Sequence, residues 1–169
     1  MKKIKLLIVG YSKFVDLGYG GYGFVKDREF SGFFEDNSND REFLDYKYAI
    51  NAEIPLMKDH KSKLNNIYKN GIPFSMHLGD AFENWRFSIV TDERDRLLEK
   101  IFQDGLFASS HYAPIDFRYV KDPVQNSNAQ QIGSRIVNLF NDFRFTEEKA
   151  NKVVKIIHNF LKVDSKADA

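Results

Sequence analysis

The residues best placed to do chemistry lie in one short run, Tyr11-Ser12-Lys13-Phe14-Val15-Asp16-Leu17-Gly18-Tyr19-Gly20-Gly21-Tyr22-Gly23. A lysine amine attacks carbonyl carbon once desolvation or neighbouring positive charge brings it near neutrality. Behind Lys13, four glycines leave their backbone amides open to close approach by an anion. The run is not a Walker loop, because the Gly-Lys-Ser/Thr ending is missing. Nor is it a dinucleotide fingerprint, since no clear helix follows the glycines. Taken alone, such a loop is more often a flexible surface turn with a solvated lysine, and Asp16 is more often a loop cap or ion-pair partner than a cofactor contact.

Three further residues invite a chemical reading. His111 and Tyr112 stand together at the end of an apolar run, where an imidazole meets a ligand or simply packs at a sheet edge. Arg86 follows Trp85 at a strand start and suits a carboxylate or phosphate in a forked pair, with a surface ion pair as its plainer use. His60, His77 and His158 have no partners at metal-ligand spacing, so no metal site is expected.

The spacing Lys13, Gly18, Gly20, Gly21 resembles the cofactor-lysine segment of the DegT/DnrJ/StrS family of sugar aminotransferases. Gly105-Leu106-Phe107-Ala108-Ser109-Ser110-His111-Tyr112-Ala113-Pro114 is similar to that family's C-terminal strand ending in His-Tyr and a proline. Val137-Asn138-Leu139-Phe140 and Phe145-Thr146-Glu147-Glu148 match the strand and start of its closing helix, in the same order.

The resemblance implies the C-terminal half of a fold type I transferase dependent on pyridoxal 5'-phosphate, starting just before the cofactor lysine. Residues 1–50 would then be a remnant of the cofactor-binding large domain and residues 51–169 the C-terminal small domain. It implies Lys13 as the catalytic lysine, with Gly18, Gly20 and Gly21 beside the cofactor, and His111, Tyr112 and Arg86 toward substrate. The implied substrates are an amino donor and a nucleotide-linked keto-sugar, as in cell-surface polysaccharide or amino-sugar synthesis. The implied partner is a second copy of the chain or a complementing N-terminal half. Two departures stand out: Ile8 occupies the place of a phosphate-holding serine, and the Asn-x-Arg dimer loop is absent. Two rival readings remain: a non-catalytic truncated fragment acting as an interaction module, and a small α/β domain that binds a nucleotide phosphate without covalent chemistry.

The elements that must position these residues follow from periodicity. Ile4–Val9 reads as a strand leading into the loop, and Phe24-Val25 as a second short one. Asp36–Asp40 is the best candidate for a linker. Ile54, Met57, Lys61, Leu64, Ile67 and Tyr68 recur at helical spacing from about residue 52 to Asn70, with Pro55 tolerable only in the first turn. Strands are expected at 85–90, 106–112 and 136–140. Helices are expected before Gly105, just after Asn128, and from Thr146 onward, the last with Val153, Val154, Ile157, Phe160 and Leu161 inward. The expected fold class is therefore α/β, more closely an α+β small domain in which helices back a small sheet.

Composition sets the outer bounds. The 169 residues are 43% hydrophobic and 15% aromatic, enough for one real core. Lys and Arg number 25 against 24 Asp and Glu, so the net charge of +1 supports neither nucleic acid nor an anionic membrane as partner. The absence of cysteine removes thiol chemistry and disulfides and suits a reducing compartment, the cytoplasm by default. No apolar run reaches the length of a bilayer span, and Met1–Val9 lacks the features of a signal peptide.

Overall fold

The computed structural model describes residues 4–8, 21–25, 40–79, 85–111, 113 and 127–167. The chain separates into two compact units, Met1–Asp59 and His60–Ala169, where the sequence placed the division at residue 50. In the first unit, β1 (Ile4–Ile8) pairs antiparallel with β2 (Gly21–Val25), from Ile4 opposite Val25 to Ile8 opposite Gly21. The residues between them, Lys13, Gly18 and Gly20 included, lie outside the described residues. The first part of α1 (Asp40–Gly71) also belongs to this unit.

The helix α1 starts well before the expected residue 52, so Pro55 lies in its interior and not in its first turn. The proline ring removes one backbone donor there, and the helix carries that local loss within a run of 32 residues.

The second unit is a small α+β domain. Its sheet has three antiparallel strands in the order β3 (Phe87–Val90), β5 (Ile136–Leu139), β4 (Ala108–Ser109). Three helices accompany it besides the end of α1: α2 (Arg94–Gln103), α3 (Asn128–Arg135) and α4 (Glu147–Ala167). Local chemistry fixes their ends. Thr146 accepts from the Lys149 amide and caps α4, and Ser127 caps α3 through the Gln130 amide. The α2 helix closes on Gly105 at φ 73°, with Leu106 N donating to Ile101 O and Gly105 N to Phe102 O, the paired bonds of a Schellman motif. Thr91 accepts from the Glu93 amide one turn early, so α2 begins at Arg94 without a side-chain cap.

One face of the sheet is apolar. Phe87, Ile89, Ala108, Val137 and Leu139 pack with Leu64 and Tyr68 of α1, Leu97, Leu98 and Ile101 of α2, and Val153, Ile157 and Phe160 of α4. Each such side chain contributes about 1.5–3 kcal/mol by leaving water. Gly71 brings the end of α1 against α4, since a Cβ there would lie 2.6 Å from Val154 Cγ1. The outer edge of β3 is covered by residues 77 and 78, through a bridge from His77 to Ile89 and a bond from Leu78 N to Ser88 O. His77 is part of this framework: its ring bonds to Ile72 O and meets Phe87 edge-on.

The strand expected at 106–112 is only two residues long. Beyond it, the His111 amide bonds to the Asn138 side chain.

Candidate functional site

The second face of the sheet presents a polar row, Ser88, Asn138 and Ser109, aligned by the strand register. All three are buried. Asn138 Nδ2 donates to Ser88 Oγ at 3.1 Å, and Asn138 Oδ1 accepts from His111 N at 2.8 Å. Had β4 continued in register, His111 would stand opposite Ile136. It instead bonds through its amide to the Asn138 side chain, and its ring is centred 6.2 Å from that of Trp85, just before the start of β3. The chain therefore leaves the ladder after Ser109. His111 is exposed and Trp85 is half-buried.

Behind Trp85 lies a buried charge cluster. Arg86, 2% exposed, pairs with Asp142 at 3.3 Å. Its guanidinium lies 4.0 Å from the centre of the Phe140 ring and 5.1 Å from that of Trp85. Lys61, also buried, donates to Trp85 O at 3.0 Å and Asn141 Oδ1 at 2.9 Å, and Asn141 donates in turn to Asn65. The Tyr68 hydroxyl donates to Phe140 O. His60 Nε2 lies 3.0 Å from Asp142 O and 2.9 Å from Phe145 O; both are acceptors, so this nitrogen carries the proton. Three turns of α1 thus clamp the segment 140–145 that joins β5 to α4.

Two cations share one carboxylate here. Burial first, and then the Arg86 charge, lower the Lys61 pKa from 10.5 to about 8, against the opposing pull of Asp142. Burial also pushes the Tyr68 phenol well above its ordinary value, aided by the Asp142 charge.

The structure thus brings two of the residues singled out in the sequence, His111 and Arg86, against Trp85. Their environments differ. His111 is open to solvent, while Arg86 is buried with Asp142. Tyr112 lies outside the described residues, as do Lys13, Gly18 and Gly20; Gly21 is the first residue of β2. Sequence reasoning passed over Asn138, Asn141, Asp142 and Lys61. A signal existed for two of them: Asn138 is a carboxamide inside an apolar strand, and Lys61 is a lysine at a core position of a helical stripe. Among the described residues no group of three or more His, Cys, Asp or Glu could hold a metal ion, and no helix is long and apolar enough to cross a membrane.

Pyridoxal phosphate needs an amine free to reach its aldehyde and donors around its phosphate. Within the second unit, Lys61 has a suitably lowered pKa but is enclosed by Asn141 and the Trp85 carbonyl, so it does not fit the role. Any fit rests on Lys13 and its glycine loop. No family model, no curated protein and no solved structure matches the chain.

Proposed function

We propose that the chain is the C-terminal part of a pyridoxal-phosphate-dependent aminotransferase acting on a nucleotide-linked keto-sugar, with the sheet of the second unit shaping the sugar pocket. The observation that carries this reading is the exposed His111 held over the half-buried Trp85 at one end of the sheet. An imidazole can donate to a sugar hydroxyl or a diphosphate oxygen, and an indole face accepts a sugar ring or a base. Arg86 and Asp142 keep that indole in place from behind. The resemblance of the Lys13 segment and of the His111-Tyr112 strand to the sugar aminotransferases points to the same chemistry.

In this reading the amino group of a donor is exchanged for the carbonyl oxygen of a keto-sugar in two half-reactions. The cofactor, when bound, supplies the electron sink that makes the substrate carbon acidic. Lys13 holds the cofactor and carries the proton to and from that carbon; Gly18, Gly20 and Gly21 leave room for the cofactor or substrate beside it. His111 and Tyr112 orient the sugar nucleotide. The cofactor ring and phosphate contacts come from a large domain supplied by the assembled protein, and a second copy of the chain is the expected partner.

Trp85 is the chain's only tryptophan, so its emission reports on this site alone. Titration with dTDP-glucose should change that emission saturably in the millimolar range. His111→Ala should weaken the binding about fivefold, the order expected for one lost polar contact. An emission indifferent to dTDP-glucose at several times that concentration would overturn the assignment of this rim to a sugar nucleotide.

A further inference from the structure

Asn138 is the single polar residue in β5 (Ile136–Leu139), and it is 2% exposed. A buried carboxamide in a strand centre is a poor choice for stability alone, since it costs free energy unless both its ends are bonded. Val137 and Leu139 beside it show what the strand otherwise uses. Both ends of Asn138 are bonded, and to different elements: Nδ2 to Ser88 Oγ on β3, Oδ1 to His111 N beyond the end of β4. Only the oxygen can accept from a backbone N–H, so the partners themselves fix which way the amide points.

We propose that Asn138 is the positioning residue that sets His111 over Trp85, and with it the geometry in which the exposed imidazole meets a nucleotide-linked sugar; the second clause rests on the function proposed above. The mechanism is a substitution of one acceptor for another. A backbone carbonyl of β5 would hold His111 in the plane of the sheet, at the level of Ile136. The carboxamide of Asn138 projects from the sheet face, so a bond to it lifts the chain out of the ladder and onto that face. From there the chain reaches the start of β3, where the Trp85 ring receives the imidazole. Ser88 holds the carboxamide from the far side and keeps it from turning. The two-residue length of β4 and the pairing of His111 with Trp85 are then consequences of one buried side chain.

The test uses the full chain labelled with ¹⁵N and compares wild type with Asn138→Ala, Asn138→Asp, Ser88→Ala and His111→Ala. Amide hydrogen exchange at His111 should rise about tenfold in Asn138→Ala, beyond any change at the core amides of Ile89 and Leu139, which report overall opening. Trp85 emission in that variant should move toward that of His111→Ala. Asn138→Asp keeps an acceptor for His111 and can accept from the Ser88 hydroxyl, so it should restore much of the protection. If Asn138→Ala does not fold, Ser88→Ala decides the matter: it frees the carboxamide to turn, and His111 exchange should rise about threefold. His111 exchange that merely follows the core amides in the folded variants would overturn the proposal. Dependence on dTDP-glucose separates it from the parent reading: binding unaffected by His111→Ala would remove the sugar-nucleotide assignment while leaving the exchange result standing.

Discussion

Replacing Lys61 by methionine should change how the stability of the second unit depends on pH. Burial and the Arg86 charge lower the Lys61 pKa from 10.5 to about 8, which sets the charged folded form at a disadvantage of about 3 kcal/mol. The unfolded chain keeps an ordinary lysine, so between these two values it binds more protons than the folded chain does. Folding stability must then rise with pH in that window, and the full penalty is present below it. From about pH 8 to about pH 9.5 the Lys61 contribution should improve by about 1.5 kcal/mol, as its charge is shed in the folded state first.

Tyr68 works in the opposite sense at higher pH. Its phenol stays protonated in the fold while the unfolded chain ionises near pH 10, so stability should turn down above about pH 10. The assay is urea unfolding of wild type and Lys61→Met at several pH values, reading the difference between the two so that other titrating groups cancel. Wild type should gain on the variant by about 1.5 kcal/mol across the window. Parallel curves would refute the argument that burial beside Arg86 holds this lysine near neutrality.

Other perturbations follow from the same packing. Asp142→Ala leaves Arg86 as a buried cation without its ion-pair partner, and urea unfolding should show a loss of about 3–5 kcal/mol. Gly71→Ala drives a Cβ against Val154 and should cost about 1–3 kcal/mol, most of it recovered by adding Val154→Ala. Thr146→Ala removes the cap at the start of α4 and should lower stability by about 1 kcal/mol, with circular dichroism showing the helix otherwise intact.

The core was readable because its signals are local. Leu97, Leu98 and Ile101 of α2, and Val153, Ile157 and Phe160 of α4, recur at the helical period and are the residues that the fold buries. Gly105 through its backbone conformation and Thr146 through its hydroxyl marked helix ends by chemistry that acts over a few residues. The site was less readable because its geometry is made by distant pairs. Nothing near Ser109 in sequence says that the strand stops there; the cause proposed above is Asn138, which accepts from His111 across 27 residues of chain. Nor does the surrounding sequence distinguish a buried Arg86 from a surface one, since its partner Asp142 and the stacked Phe140 follow the neighbouring strand β5, more than 50 residues away in sequence. Lys61 was visible as a core position on a helix, but not as a lysine with a lowered pKa, because that depends on Arg86 and Asn141 meeting it in space.

The function proposed above requires that Lys13 hold pyridoxal phosphate. It is tested most directly by incubating the full-length protein with pyridoxal phosphate, reducing with borohydride, and locating the label by peptide mass. The account expects one stoichiometric label on the peptide that carries Lys13, lost in Lys13→Ala together with amino transfer to a nucleotide-linked keto-sugar. A label on another lysine, or full transfer activity in Lys13→Ala, would contradict it.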